Sequence, residues 1–256
     1  MKRLANKVAL VTGSTGGIGE ATVRRFLQEG ASVMAVGRST AKLKDLNERI
    51  GDEARLEVVV ADATDEAATE AAVAATIRHF GGLDIVFANA GTEGALKPLD
   101  EMTADEFRET FETNVLGVWL CLKYAIPQLR ENRSGSIIIT ASTAGLIGFP
   151  GLANYVSSKH GVIGLMKCAA LETADFGVRV NAIAPGPIEN RMIHSLTDQL
   201  APADPDALEA QIKEMIPLHR YGVNDEVAAM AAFLASSDSA YCTGSVFTLD
   251  GGYTAA

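Results

Sequence analysis

The stretch that decides the fold is Val8-Ala9-Leu10-Val11-Thr12-Gly13-Ser14-Thr15-Gly16-Gly17-Ile18-Gly19. It begins as a short apolar run, which predicts a buried strand, and continues directly into glycines. Glycines let the chain turn tightly and let backbone N–H groups approach a pyrophosphate, whose charge the N-terminus of a following helix favours. A glycine-rich turn that binds nothing is the alternative, and a strand before it and a helix after it weigh against that alternative. We therefore predict strand, turn and helix, with a dinucleotide site at the turn.

Strand-like and helix-like segments alternate along the rest of the chain. The predicted strands cover residues 8–11, 32–36, 56–61, 85–88, 137–140, 178–183 and 246–249. The predicted helices cover residues 17–29, 41–50, 65–80, 104–131, 155–175 and 225–235, and Thr103 with Glu106 forms a capping box before the fourth. Near-continuous apolar strands are typical of a sheet covered on both faces. The pattern predicts an α/β fold, a doubly wound parallel sheet of about seven strands with helices on both faces, built as a single domain over residues 1–256.

One long segment breaks this alternation. Residues 185–221 contain five prolines and room for two short helices. A segment of this length outside the main pattern is usually a functional lid or a disordered linker. Its apolar side chains, such as Met192, Ile193 and Leu196, favour a substrate lid at about residues 187–221.

Charge and cysteine content exclude several classes of protein. The 22 basic and 32 acidic side chains give a net charge of −10, which opposes binding to nucleic acid or to an anionic membrane surface through bulk charge. Three well-separated cysteines form no CxxC pair, and the N-terminus runs directly into the first strand, so we expect a cytoplasmic protein without a secretory signal. The window from Ser134 to Ser158 has no charged side chain, but Pro150 and several glycines argue against a membrane helix. The histidines show no metal-ligand spacing, so no metal site is predicted.

A second motif supplies groups suited to acid–base chemistry. Tyr155 and Lys159 stand four residues apart, which places a phenol and an ammonium on one helical face. A neighbouring cation favours the phenolate and lowers the pKa of a tyrosine toward the working range. Ser142 follows the fifth predicted strand, and the carboxyl ends of strands form the ligand crevice of such a sheet. These three side chains are therefore candidates for one catalytic group.

Taken together, the motifs resemble those of the short-chain dehydrogenase/reductase family, and the resemblance covers essentially the whole chain. Residues 12–19 look like the family's TGxxxGIG loop, and residues 155–159 look like its YxxxK pair. Further matches are Ala88-Asn89-Ala90-Gly91, in which alanine replaces the first asparagine of an NNAG motif, and Asn114, Ser142, Pro185-Gly186 and Asp250-Gly251-Gly252.

The resemblance implies hydride transfer between a nicotinamide and a carbonyl/alcohol pair. Tyr155 would be the general acid/base, and Lys159 would lower its pKa and bind the nicotinamide ribose. Ser142 would hold the substrate oxygen, and Asn114, in a locally kinked helix, would fix a water that links Lys159 to solvent. Each has a plainer alternative, since Ser142 could cap a loop and Asn114 could satisfy buried backbone groups. The implied catalytic residues are Asn114, Ser142, Tyr155 and Lys159.

The same resemblance implies a cofactor site along the carboxyl edge of the sheet. Asp62 would lie near adenine, or else only begin a turn. The implied cofactor-binding residues are Gly13, Thr15, Gly17, Ile18, Gly19, Arg38, Ser39, Asp62, Ala63, Asn89, Ala90, Gly91, Tyr155, Lys159, Pro185, Gly186 and Ile188.

The end of the second strand bears on the choice of nicotinamide. NAD sites usually place a carboxylate there for the ribose hydroxyl. Here the position is Gly37, followed by Arg38 and Ser39, which suit a 2′-phosphate. We therefore favour NADP(H), while an Arg38 that stacks on adenine in an NAD(H) enzyme stays open.

Three functions are compatible with these residues. The first is an NAD(P)-dependent oxidoreductase of a small alcohol or ketone, acting as the homotetramer that the resemblance implies. The second is a 3-oxoacyl-carrier-protein reductase, for which Arg133 matches one carrier-binding position but Asp175-Phe176 stands where a second arginine is expected. The third is a non-catalytic dinucleotide-sensing protein, which would not need the intact set of catalytic residues. Asn190 also replaces the family's threonine at the end of PGxIxT, which puts one contact to the nicotinamide amide in doubt.

Overall fold

The computed structural model describes residues 2–52 and 54–255, and these form one seven-stranded sheet. All neighbouring strands pair in parallel, in the order β3-β2-β1-β4-β5-β6-β7. The strands are β1 Val8–Thr12, β2 Ser32–Gly37, β3 Leu56–Val60, β4 Ile85–Ala88, β5 Gly135–Thr140, β6 Val178–Pro185 and β7 Val246–Leu249. The predicted doubly wound parallel sheet is confirmed, with all seven strands at the predicted places.

Nine α-helices lie within the described residues. They are α1 Gly17–Gln28, α2 Thr40–Ile50, α3 Glu66–Phe80, α4 Ala104–Phe111, α5 Gly117–Asn132, α6 Ala153–Thr173, α7 Arg191–Leu200, α8 Pro205–Met215 and α9 Asn224–Ala235. The predicted continuous helix over residues 104–131 is in fact interrupted by a π-helical turn at Glu112–Leu116. The predicted capping box is present, because the Thr103 hydroxyl accepts from the Glu106 N–H and the Glu106 carboxylate accepts from the Thr103 N–H.

Alternate residues of each strand face opposite layers of helices. In β1, Leu10 packs in a core with side chains of α3, α5 and α6, whereas Ala9 and Val11 pack in a second core with side chains of α1, α2 and α9. Strand side chains point to opposite faces with a period of two. Both faces of the sheet are thus covered, which explains why the strands are apolar at nearly every position.

The strand order reverses at β1. The chain moves outward through β2 and β3 on one side of β1, and through β4 to β7 on the other. In open α/β sheets the crevice for a ligand lies at this switch point, outside the carboxyl ends of the strands. The residues that follow β1 and β4, Gly13 and Asn89, are therefore neighbours at the place where a ligand is expected.

Residues 187–221, called here the α7–α8 segment, lie outside the alternation and hold the two predicted short helices. His194 of α7 connects the start of this segment to α8, since its ring nitrogens lie 2.7 Å from Glu189 Oε1 and 2.7 Å from Glu209 Oε1. These carboxylates raise the pKa of His194, with the Glu209 hydrogen bond as the larger cause. Among the described helices, none has the length and apolar character needed to cross a membrane.

Candidate active site

The glycine turn after β1 is packed too closely for side chains. Gly13 has a φ of 62°, and a Cβ there would lie 2.8 Å from the Ala90 Cα. A Cβ at Gly19 would overlap the Gly13 carbonyl oxygen and lie 2.8 Å from the Ser14 Cα. The N-terminus of α1 begins at this turn, and the N-cap residue Gly16 offers no side-chain cap to it. Free N–H groups at such a terminus suit an anion, so the turn fits a pyrophosphate.

Asn89 ties the carboxyl ends of three strands together. Its amide nitrogen donates to the Thr12 and Gly13 carbonyls at 3.3 Å, and its amide oxygen accepts from the Thr140 hydroxyl at 3.0 Å. The Thr12 hydroxyl in turn accepts from the backbone N–H groups of Asn89 and Ala90. The predicted residues of this loop are thus held as the floor of the crevice.

The π-helical turn carries Asn114, which is fully buried. Its amide oxygen accepts from the Thr92 N–H at 2.8 Å, and its amide nitrogen donates to the Thr92 carbonyl and to the Ser158 hydroxyl, both at 2.9 Å. π-helical turns occur frequently at functional sites. The π-helical turn stands where the resemblance implied a local kink, and the contacts of Asn114 are those of the plainer alternative, because its amide satisfies buried backbone groups.

Ser142, Tyr155 and Lys159 are brought together from a loop and a helix. Ser142 follows β5, and its hydroxyl accepts from the Ala144 N–H at 3.1 Å and lowers the pKa of the Tyr155 phenol. Lys159 is 5% exposed and donates from Nζ to the Thr140 carbonyl at 2.9 Å. Its Nζ lies 5.6 Å from the centroid of the Tyr155 ring. A phenol, a hydroxyl and an ammonium therefore meet at the edge of the crevice.

The remaining predicted cofactor residues flank the same edge of the sheet. Arg38 is exposed after β2, and Ser39 caps α2 by accepting from the Lys42 N–H. Asp62 accepts from the N–H and hydroxyl of Thr64, which is the turn contact of its plainer alternative. The other side of the crevice is the start of the α7–α8 segment: Gly186 donates to the Leu249 carbonyl at 2.9 Å, and Ile188 is buried. The other predicted residues here are Thr15, Gly17 and Ile18 at the turn, Ala63 beside Asp62, Gly91 beside Asn114, and Pro185 at the end of β6.

Comparisons with known proteins agree with this geometry. Residues 13–254 match a family model described as "Enoyl-(Acyl carrier protein) reductase". The chain is 38% identical to levodione reductase of Leifsonia aquatica over 99% of this chain and 96% of that protein. The crystal structure of levodione reductase superposes with a TM-score of 0.96, covering 99% of this chain and 100% of the other. The chain belongs to the short-chain dehydrogenase/reductase family.

Two further relatives show the range of substrates in the family. The chain is 35% identical to cyclohexanol dehydrogenase of Acinetobacter sp. strain SE19, over 97% of this chain and 95% of that protein. It is 38% identical to a 3-oxoacyl-[acyl-carrier-protein] reductase of Thermotoga maritima, over 98% of both. As a short-chain dehydrogenase/reductase, this chain transfers hydride between a nicotinamide cofactor, NAD(P)(H), and an alcohol or ketone. The glycine turn, whose residues Gly13 and Gly19 leave no room for a Cβ, fits the pyrophosphate of such a cofactor.

In this short-chain dehydrogenase/reductase site, the pKa of Tyr155 differs from the lowered value expected beside Lys159. Burial raises the pKa of the Tyr155 phenol, the Ser142 hydrogen bond lowers it less, and the Glu93 carboxylate raises it. Lys159 is not among the groups that shift the pKa of this phenol, and its ammonium donates to the Thr140 carbonyl at 2.9 Å. Burial lowers the pKa of Lys159 itself to about 8.

A buried ammonium makes stability depend on pH. Between about pH 8 and the Lys159 pKa of 10.5 in the unfolded chain, the unfolded state binds more protons, so stability rises with pH. Relative to Lys159→Met, the unfolding free energy of the wild type should increase across this window by up to about 3 kcal/mol. Urea unfolding without nucleotide at a series of pH values measures this difference. Lys44→Met, which removes an exposed ammonium, is the matched control, and a flat difference for Lys159→Met would contradict the assignment.

Sequence reasoning missed Glu93 and Arg191. Glu93 follows Thr92 in the loop after β4 and is 7% exposed. Its Oε1 and Oε2 accept from Arg191 Nη1 and Nη2 at 3.1 and 3.2 Å, which forms a bidentate ion pair. Burial raises the pKa of Glu93, but the hydrogen bonds, above all that from Arg191, lower it overall. No spacing pattern marks either residue, since they lie 98 positions apart.

Proposed function

We propose that this short-chain dehydrogenase/reductase interconverts a small apolar secondary alcohol and its ketone, with NADP(H) as the preferred cofactor. The observation that carries the proposal is the group of Ser142, Tyr155 and Lys159 together with the apolar loop that follows Ser142. In that loop Leu146 and Ile147 are 40% and 37% exposed. Exposed apolar side chains so close to Ser142 in the chain suit a substrate without charge. Cyclohexanol dehydrogenase among the relatives supports the same substrate class.

Each catalytic side chain has a role that its contacts support. Tyr155 exchanges a proton with the substrate oxygen, and the Ser142 hydroxyl orients that oxygen and stabilises charge on it. Lys159 holds the ribose hydroxyls and favours the phenolate once its ammonium turns from the Thr140 carbonyl toward them. Asn114 fixes the backbone around Thr92 and so maintains the crevice. The nicotinamide supplies or accepts the hydride when bound.

The preference for NADP(H) is supported by the residues after β2. Gly37 is buried and has no carboxylate to repel a 2′-phosphate, and Arg38 is exposed beside it. The Ser39 hydroxyl, which accepts from the Lys42 N–H, still has its own hydrogen to donate. The N-terminus of α2 begins at the next residue and favours a negative charge.

Arg38→Asp tests this preference. The new carboxylate would repel a 2′-phosphate and accept from a ribose hydroxyl, so the KM for NADPH should rise by about 10-fold or more while the KM for NADH changes little. Steady-state kinetics with each nucleotide at saturating substrate measure both constants. Arg78→Asp, which makes the same charge change on α3, is the matched control. Equal effects of Arg38→Asp on the two nucleotides would refute the preference.

The substrate proposal is tested with a panel of alcohols and ketones, each with NADP(H) and with NAD(H). We expect turnover of cyclohexanol and cyclohexanone and little turnover of 3-oxoacyl thioesters. The carrier-protein alternative is less well supported because Arg133, its candidate carrier contact, donates to the Asp175 carbonyl. Faster turnover of acyl thioesters than of every small ketone would establish the alternative instead. The non-catalytic alternative is set aside, because the chain belongs to an oxidoreductase family and keeps the full catalytic set.

Assembly, closure and location complete the proposal. A homotetramer is supported by three large apolar side chains that are exposed. Leu116 precedes α5 and is 39% exposed, Trp119 lies on α5 and is 42% exposed, and Leu171 lies on α6 and is 83% exposed. Light scattering after gel filtration measures the mass of the assembly.

We also propose that the α7–α8 segment covers the substrate, which its position beside the crevice supports. We propose a cytoplasmic location as well, which the three unpaired cysteines support.

Asn190, which replaces the family's threonine, is the N-cap residue of α7. Its side chain accepts from the Met192 N–H at 2.9 Å and so caps α7. The amide nitrogen of Asn190 lies 3.4 Å from the Asn224 amide oxygen. Asn190 thus holds the first turn of α7 in place.

A further inference from the structure

Two buried polar side chains, Thr110 of α4 and Asn154 of α6, meet next to Tyr155 in the chain. Thr110 is 1% exposed and Asn154 is 0% exposed. Asn154 Nδ2 donates to Thr110 Oγ1 at 3.0 Å, and Asn154 Oδ1 accepts from the Tyr155 N–H at 2.8 Å. The Asn154 amide therefore links α4 directly to the backbone of the proposed general acid/base.

The Tyr155 N–H needs such a partner because it lies in the first turn of α6. The first four N–H groups of an α-helix have no acceptor within the helix itself. The N-cap residue of α6, Leu152, offers no side-chain cap to them. The Asn154 side chain supplies the acceptor instead, and it does so from inside the helix.

The Thr110 hydroxyl and the backbone of Gly94 hold the Asn154 amide in place. Thr110 donates its hydrogen to the Glu106 carbonyl at 3.1 Å, which leaves its oxygen to accept from Asn154. Gly94, in the loop after β4, has a φ of 69°. A Cβ at Gly94 would overlap Thr110 Oγ1 and lie 2.5 Å from Asn154 Nδ2. The loop backbone thus packs directly against both side chains.

The Tyr155 carbonyl is held by a buried side chain as well. It accepts from the Ser158 hydroxyl at 2.8 Å, and that hydroxyl accepts from Asn114 Nδ2 at 2.9 Å. Both backbone polar groups of Tyr155 are therefore bound by side chains that other elements hold. Such contacts matter for catalysis because a misplacement of about 1 Å can lower a rate by about 100-fold.

We propose that Thr110 and Asn154 are positioning residues for Tyr155, whose hydrogen bond fixes the first turn of α6, and with it the phenol, against α4. Within residues 2–52 and 54–255, the side-chain hydrogen bonds of the pair lead only to each other, to Glu106 and to Tyr155. The pair thus acts on the chemical step and not on the binding of nucleotide or alcohol. The inference deepens the proposed function and rests on the role of Tyr155 in it.

The test compares Thr110→Val, Asn154→Leu and the double variant, in which the new side chains have nearly the shape of the old ones. The single-turnover rate of NADP⁺ reduction by the best alcohol of the panel reports the chemical step. We expect each single variant to lower this rate by about 10-fold. The KM for the alcohol and the Kd for NADP⁺ should each change by less than about twofold. In the double variant the rate should equal that of Asn154→Leu, because Thr110 acts through Asn154.

Controls separate positioning from a general loss of packing. Thr110→Ser keeps the hydroxyl and should keep the wild-type rate. Thr76→Val is the matched control, because Thr76 is buried on α3 and its hydroxyl likewise donates to a carbonyl four residues earlier, that of Ala72. Urea unfolding should show a loss of stability in both valine variants, whereas only Thr110→Val should be slow.

The possible outcomes distinguish the inference from the proposed function. A wild-type rate in Thr110→Val, an equal loss of rate in Thr76→Val, or losses that multiply in the double variant overturn the inference alone. Thr110→Val decides the question by itself if Asn154→Leu does not fold. Full turnover in Tyr155→Phe overturns the proposed role of Tyr155 and the inference with it.

Discussion

Tyr155→Phe should lower kcat for both alcohol oxidation and ketone reduction by about 10²- to 10⁴-fold, the usual contribution of a positioned general acid/base. The substitution removes one oxygen and leaves the ring beside Lys159, whose hydrogen bond to the Thr140 carbonyl does not involve the phenol. The glycine turn that fits the pyrophosphate is also untouched. Nucleotide affinity should therefore change by no more than about threefold.

Two measurements check this result. Steady-state kinetics in both directions give kcat, and fluorescence titration with NADPH gives the dissociation constant. Tyr124→Phe is the matched control, because it removes a phenol that is bonded to Glu66 on the outer face of α5. Turnover of Tyr155→Phe within about tenfold of the wild type would show that another group transfers the proton.

Gly19→Ala should destabilise the protein and weaken nucleotide binding. The added Cβ would overlap the Gly13 carbonyl oxygen and crowd the Ser14 Cα, and both are backbone atoms that cannot turn aside. Overpacking typically costs about 1–3 kcal/mol, and a clash with backbone belongs at the upper end of that range. Any relaxation must also move the N–H groups that face a pyrophosphate, so the Kd for NADPH should rise by about 10-fold or more.

Urea unfolding and nucleotide titration measure the two effects of Gly19→Ala. Gly82→Ala is the control, because its Cβ would meet no atom within 4 Å, and its stability should stay within about 0.5 kcal/mol of the wild type. Wild-type stability and affinity in Gly19→Ala would mean that the turn is more adaptable than its packing indicates.

Most of the fold was predictable because its signals are local. The apolar run at β1 and the glycines that follow it define strand, turn and helix within a dozen residues, and similar runs mark the other strands. The break between α4 and α5 was not predictable as a π-helical turn. It is accompanied by hydrogen bonds from Asn114 to Thr92 and Ser158, which lie 22 and 44 positions away along the chain. Periodicity within residues 104–131 carries no information about those partners.

The candidate active site was likewise predictable only in part. The spacing of Tyr155 and Lys159 predicts that they share a helical face, and Lys159 Nζ indeed lies 5.6 Å from the Tyr155 ring. Their acid–base state was not predictable from that spacing. Lys159 donates to the Thr140 carbonyl at the end of β5, and burial raises the pKa of Tyr155 above its ordinary value. Which acceptor an ammonium chooses depends on groups that other elements bring to it.

The sequence by itself determined the order of strands and helices, the glycine turn and the pairing of Tyr155 with Lys159, because periodicity, glycine content and helical spacing act over a few residues. Only the tertiary structure decided that Glu93 is buried and that it forms an ion pair with Arg191. Burial and Coulomb interactions depend on distance through space. Two residues 98 positions apart therefore become partners only when the loop after β4 and helix α7 pack at the same crevice.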